Sequence, residues 1–352
     1  MKKYQLNINQ VQFFIEHLKM QGTVFAPQKK GDASFSFNKI EDPNTVVLDY
    51  NRTLNSIKKY FLPPQEQLLS YSKLNNSYKK SSIEEKKKIF LGVHSYDMQA
   101  VLKLDYNFTQ GNPEENYLTR RKESSFIGVS FIPDDYHFSQ SVGMPIHDTE
   151  GFDVYLEKNT SGYTLKTITE NGEDLIKEFD GLITDMELPS NHVQFKNKIK
   201  YNYNRLPEVF EHSWNAEVWE EVAKKCVGCG TCNLVCPTCY CFDVEDDMDL
   251  TLQNGTRDRR WDGCMLNSFA AVAGGENFRK SLADRQRHRI FRKFKYITYI
   301  TGEPWCVGCG RCTAYCTAGI SIVDIVNQLC DEYEQKYLNR LAEQTGFNRE
   351  ML

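Results

Sequence analysis

The chain has 352 residues, 40% of them hydrophobic, with a formal net charge of −4 and twelve cysteines. That length suggests about two domains with packed cores, and so mild an acidic balance argues against nucleic acid or a membrane surface as partner. No stretch offers the ~18 uninterrupted apolar residues of a membrane span, and Met1 to Met20 hold no apolar signal core, so the cysteines point to metal or thiol chemistry in a reducing cytoplasm and not to a disulfide framework.

In chain order, Asn7 to Met20 places Val11, Phe14, Ile15 and Leu18 on one helical face. Thr23 to Pro27 and Val46 to Tyr50 read as short strands, and Ser70 to Lys88 as an exposed, lysine-rich connection with some helix. Ile89 to Val93 is a buried-strand run, Tyr96 to Leu104 a helix, and Phe126 to Val129 a second apolar strand; this alternation predicts an α/β layer. Phe152 to Leu156 and Tyr163 to Ile168 flank Asn159-Thr160-Ser161-Gly162 as a hairpin. A boundary is expected between Asn191 and Leu206, then a helix over Glu208 to Lys225 and a terminal helix over Ile320 to Leu341.

The last third carries two copies of C-x2-C-x2-C-x3-C. The first is Cys226, Cys229, Cys232 and Cys236, followed by Pro237; the second is Cys306, Cys309, Cys312 and Cys316, followed by Thr317. This is the bacterial-type ligand run for a 4Fe–4S cluster, in which the fourth cysteine ligates the other cluster. The expected wiring is crossed: Cys226, Cys229 and Cys232 with Cys316, and Cys306, Cys309 and Cys312 with Cys236. Structural zinc is the competing reading, weakened by the presence of two full runs of four. Gly228, Gly230, Gly308 and Gly310 suit loops that must fold round a cube. Thr317 in place of a proline predicts local softening without loss of the cluster. Cys306 follows Cys236 by 70 positions, which predicts a long, helix-rich insertion of the α-helical ferredoxin kind.

That interval poses separate questions. Cys239, Cys241 and Cys264 are either a thiol or further metal site or buried structural cysteines, and Cys330 is expected in the core. The acidic run Glu245, Asp246, Asp247 and Asp249 reads as an exposed loop without calcium-loop spacing. The basic helix Arg285 to Lys295 either docks an acidic partner or raises cluster potentials, or is an ordinary solvated face.

Four stretches carry a family resemblance: Cys-Pro-Thr-Cys-Tyr-Cys-Phe-Asp-Val (236–244), Arg-Arg-Trp-Asp-Gly-Cys (259–264), Ala-Gly-Gly-Glu-Asn-Phe-Arg (273–279) and Arg-Gln-Arg-His-Arg (285–289). Together they resemble the iron–sulfur subunits of sulfhydrogenase and anaerobic sulfite reductase. Val24 to Pro27, Leu91 to Val93 with Asp97, Leu104-Asp105 and Ile127 to Val129 extend the likeness to the N-terminal half. The resemblance implies a subunit passing electrons between a flavin-containing NAD(P)H oxidoreductase subunit and a catalytic sirohaem or nickel–iron subunit. Family members also resemble one another in N-terminal cysteines that suit an extra cluster. The corresponding positions here are Tyr96, Ser130, His137 and Ser139, and no cysteine precedes Cys226, which implies that a third site has been lost.

The expected architecture is therefore α+β, with an N-terminal mixed α/β domain over 1–205 and a mostly helical α-helical-ferredoxin-like domain over 206–352 holding two 4Fe–4S clusters. The expected role is a cytoplasmic, anaerobic electron-transfer subunit of an oxidoreductase. The alternatives are an independent sulfur-handling enzyme using Cys239, Cys241 and Cys264, or a scaffold whose clusters only hold the fold.

Overall fold

The computed structural model describes residues 2–83, 86–179, 182–183, 194–338 and 340. They form two compact units, neither a single stretch of chain. One comprises 1–133, 144–194 and 236–261; the other comprises 134–143, 195–235 and 262–352. The sequence reading instead draws one boundary at 205/206, and residues 191–193 of its boundary region lie outside the described residues.

The first unit is built on an eight-stranded mixed sheet in the order β10-β1-β9-β8-β7-β6-β2-β3. Its strands are β1 (Lys3–Asn7), β2 (Thr23–Lys29), β3 (Phe35–Lys39), β6 (Lys88–Val93), β7 (Ser124–Val129), β8 (Val154–Lys158), β9 (Gly162–Thr167) and β10 (Leu182–Ile183). The pairs β2/β6, β6/β7 and β7/β8 are parallel. Parallel strands are covered on both faces, so they are read as continuous apolar runs: Ile89, Phe90, Leu91 and Val93 are all fully buried. Helices α1 (Val11–Gln21), α2 (Ser95–Thr109), α3 (Glu115–Lys122) and α4 (Glu170–Ile176) complete this part. The β8/β9 hairpin forms where its alternation predicts it.

Three expectations in this unit are corrected. Val46 to Tyr50 is not a strand: Val46 makes a lone bridge to Gln28. A 3-10 turn at Pro43–Thr45 precedes it, and Tyr50 turns inward, donating to the Gly92 carbonyl at 2.7 Å and stacking on His94. Ser70 to Lys88 holds no helix among the described residues; it contains the end of β4 (Gln65–Ser72) and β5 (Ser77–Lys80), paired antiparallel. Asn76 supplies the left-handed turn residue at φ 45°. The start of the interval between the cysteine runs is likewise a hairpin, β11 (Phe242–Met248) and β12 (Asn254–Trp261). Phe242 and Val244 alternate there with acids, and Arg257 stands opposite Asp246 with its guanidinium 2.7 Å from that carboxylate. Cross-strand charge pairs of this kind favour the strand register. The acidic run therefore lies on an exposed strand, with Asp249 in the turn beyond it. These strands join β4 and β5 in a second sheet, β11-β12-β4-β5.

In the second unit every described helix or strand is helical: α5 (Leu206–Glu211), α6 (Val218–Lys225), α7 (Thr231–Leu234), α8 (Leu282–Phe291), α9 (Thr298–Thr301), α10 (Arg311–Ala314) and α11 (Ile322–Tyr333), with short 3-10 and π turns. The single helix expected over Glu208 to Lys225 is broken. Ser213 Oγ donates back to the Val209 carbonyl, and Trp219 Nε1 donates to the Ser213 carbonyl, holding a turn between α5 and α6. The core sets Phe210 edge-on to Phe291 at 5.1 Å. Helix α11 buries Ile322, Ile325, Val326, Leu329 and Cys330 at helical spacing. Leu341, the expected end of that helix, lies outside the described residues.

Candidate metal centre

The two cysteine runs have the same local backbone. Gly228 and Gly230 sit at φ 68° and 74°, and Gly308 and Gly310 at 65° and 72°. This is the left-handed region that glycine enters without a Cβ clash. Each second glycine is the N-cap of a one-turn helix, α7 or α10, that carries the third cysteine. Upstream, α6 ends on Cys226, whose N–H is held by the Val222 carbonyl. Helix, glycine loop and short helix thus bring Cys226, Cys229 and Cys232 to one cavity.

One cavity of the second unit is lined by Cys226, Cys229, Cys232, Cys312 and Cys316, walled by Met265, Ala318, Ile320 and Ile322, and reached by Gln286 and Arg289. Cys316, from the second run, stands with the first three cysteines of the first run, as crossed wiring requires. Cys312 also borders this cavity, which the spacing alone does not indicate. Burial pushes the Cys232 thiol up to about 11, opposed by the Arg289 charge and reinforced by Cys312, Cys226 and Cys316. Cys229 is held below its ordinary value, first by a hydrogen bond with Thr231 Oγ1 at 3.3 Å. Thr317, in the proline position, lines the same cavity and adds to this lowering.

The donor set fits an iron–sulfur cube better than a lone ion. Zinc would draw its sulfurs to within ~2.3 Å of one point, whereas here five thiols are spread around a cavity. Thiols ringing a cavity match ligands spread around a cage.

The first loop is open: Val227 is 71% exposed and Cys229 is exposed. The second is covered. Val307 and Cys309 are buried and Arg311 is fully so, and the Gly308 carbonyl accepts from the Phe138 N–H at 2.9 Å. Cys306, Cys309 and Cys312 belong to the second unit, and Cys236 belongs to the first. Cys236 heads a loop fastened by Lys58, a buried residue that sequence reasoning missed. Its Nζ donates to the carbonyls of Cys236 and Cys239 at 3.1 and 2.9 Å and lies 3.9 Å above the Trp261 ring. Thr238 Oγ1 lies 3.5 Å from the Cys236 sulfur.

The other singled-out residues fall as follows. Cys264 is buried, Cys239 and Cys241 are half-buried, and the first belongs to a different unit from the other two. Cys330 is fully buried in α11, and burial pushes its thiol up to about 12. The basic helix is not simply a solvated face, because Arg285, Arg289 and Lys293 are buried in a row at four-residue spacing. Tyr96 donates its hydroxyl to the Asn51 carbonyl, and Ser130 Oγ accepts from the Lys158 N–H. His137 Nδ1 accepts from the Asp134 N–H at 3.1 Å. Ser139 is buried beside the second cysteine loop.

Comparison with known proteins agrees with this geometry. The 4Fe-4S dicluster domain family matches residues 225–320. The sulfhydrogenase 2 subunit beta of Pyrococcus furiosus is 31% identical over 324 residues, covering 90% of this chain and 95% of that protein. The chain belongs to the sulfhydrogenase β-subunit family. It is accordingly an iron–sulfur electron-transfer protein with two 4Fe–4S clusters, of the oxidoreductase class. No helix among the described residues is long and apolar enough to cross a membrane. No solved structure matches the chain.

Proposed function

We propose that the chain relays single electrons through its two clusters, between a flavin-containing NAD(P)H oxidoreductase subunit and a catalytic subunit bearing sirohaem or nickel–iron, in a cytoplasmic complex. The observation that carries the reading is the cavity shared by Cys226, Cys229, Cys232 and Cys316. Soft thiolates in that ring suit an iron–sulfur cube, and we assign these four to the first cluster. By the same crossed pattern, Cys306, Cys309, Cys312 and Cys236 hold the second. The all-helical second unit supports its reading as an α-helical-ferredoxin-like dicluster domain. The local hydrogen bonds of Tyr96, Ser130 and His137 support the loss of a third cluster. Two clusters held by one chain suit a relay of single electrons.

Anaerobic reconstitution followed by low-temperature EPR tests this. The reduced chain is expected to bind about eight irons and show two interacting 4Fe–4S signals. Bound zinc with a silent spectrum would overturn the reading, and about twelve irons would overturn the two-cluster count.

A further inference from the structure

Helix α8 brings two side chains to the first cysteine cavity whose chemistry the ligand assignment does not use. Gln286 is 2% exposed and donates from Nε2 to the Cys226 sulfur at 3.3 Å. Its Oε1 is buried with no hydrogen-bond partner. One turn on, Arg289 is 4% exposed and lines the same cavity, where its charge acts on Cys232.

The helix is fixed well enough to hold both groups in place. Ser281 Oγ accepts from the Asp284 N–H at the N-cap. Arg285, between the two segments, donates to the carbonyls of Met265, Arg279 and Lys280 and to Asn267 Oδ1. This clamp leaves Gln286 and Arg289 little freedom to turn away.

Resting on the assignment of Cys226, Cys229, Cys232 and Cys316 as one cluster's ligands, we propose that Gln286 and Arg289 are positioning residues that raise that cluster's reduction potential above the value its cysteines alone would set. Reduction adds one negative charge to the cluster. An N–H aimed at a ligand sulfur and a buried guanidinium both favour the more negative state. Arginine keeps its charge at any working pH, and burial lowers the screening between that charge and the cluster.

EPR-monitored redox titration of the full-length reconstituted chain tests this, with iron counted in each sample. Gln286→Met and Arg289→Met are each expected to lower the midpoint of one of the two signals. For Arg289→Met the shift should reach a tenfold change in the reduced-to-oxidised ratio, about 59 mV for a one-electron couple. Arg289→Lys, which retains the charge, should stay near the parent. Unchanged midpoints, an upward shift, or equal shifts of both signals would overturn the proposal while leaving the ligand assignment intact. So would loss of iron in Gln286→Met, which would mean a merely structural role; that near-isosteric variant decides the matter if Arg289→Met does not fold. A parent chain without two cluster signals would instead refute the assignment, and the proposal with it.

Discussion

A Cβ on Gly308 would stand 2.4 Å from the Cα of Ser139, closer than real Cβ atoms approach any backbone. The second cysteine loop and the segment 134–143 are therefore packed backbone to backbone. Gly310 repeats the relation, with its hypothetical Cβ 2.4 Å from the Tyr136 carbonyl oxygen. Gly308→Ala must both occupy φ +65° and push this segment away. A loss of about 1–3 kcal/mol is expected, with iron released from one cluster. Gly274→Ala is the control: its φ is +94° but nothing lies within 4 Å, so only the conformational cost remains. Thermal unfolding and iron retention of the two variants should separate strain from collision.

Glu66 and Arg259 stand opposite each other across β4 and β12. Arg259 is 2% exposed; it bonds Glu66 and lies 3.0 Å from Glu114, while Arg120 holds the other Glu66 oxygen at 2.6 Å. Glu66→Ala would take a carboxylate from two arginines, leaving the buried Arg259 with Glu114 alone, and is expected to cost about 3 kcal/mol. Arg257→Ala breaks only the exposed pair with Asp246 and should cost at most ~1 kcal/mol. Denaturant midpoints that rank the two in the other order would contradict this account of the second sheet.

Lys58→Met keeps most of the stem but removes the cation from above Trp261 and from the carbonyls of Cys236 and Cys239. The variant is expected to lose about 1–3 kcal/mol, because two carbonyls lose their buried donor. The loop bearing Cys236 should then yield iron faster to a chelator. Release kinetics identical to the parent's would deny Lys58 a part in holding that loop.

Cys316→Ala is expected to reduce the iron content from about eight toward about four per chain. Cys239→Ala and Cys241→Ala should leave it unchanged. Iron analysis beside EPR integration checks all three. A fall in either of the latter two would revive a separate role for those thiols.

The carboxyl of Asp249 is lowered to about 2, first by the Asn254 side chain, then by Thr251 and the amides of Gln253 and Asn254. A depressed acid stabilises the fold above its unfolded value of ~3.9 and loses that contribution as pH falls toward the folded value. The hydrogen bonds that Asp249 accepts from Thr251, Gln253 and Asn254 should therefore weaken between about pH 4 and pH 2. In Asp249→Asn the fall in exchange protection of the Gln253 and Asn254 amides with acid, measured against their intrinsic rates, should disappear.

Much of the molecule was legible where one physical signal dominated. Strands β2, β6 and β7 carry runs of apolar residues that suit a doubly covered sheet, and the cysteine spacing pointed to the region of the cavity that Cys226, Cys229, Cys232, Cys312 and Cys316 line. The signal failed where two periodicities competed. Phe242 to Met248 is too charged to stand out as a strand, and its register is set by pairing with β12, where arginines face its acids. Val46 to Tyr50 is apolar enough for a strand, but Tyr50 satisfies its hydroxyl on Gly92. Lys58 could not have been found by local reading, because its partner Cys236 is 178 residues away. The burial of Arg285, Arg289 and Lys293 was likewise hidden, since a row of cations in sequence carries no mark of what faces it.

The hairpin of β11 and β12 has a consequence for how such a chain can be inherited. It is encoded between the two cysteine runs, yet its strands complete a sheet begun by residues 65–80. A gene fragment carrying only the cysteine-rich third would deliver β12 with one edge bare, an invitation to pair with the wrong chain. It would also leave Arg259 without Glu66. The dicluster segment is therefore not a cassette that recombination can move on its own. Any lineage that keeps it must keep the cysteine-free half beside it.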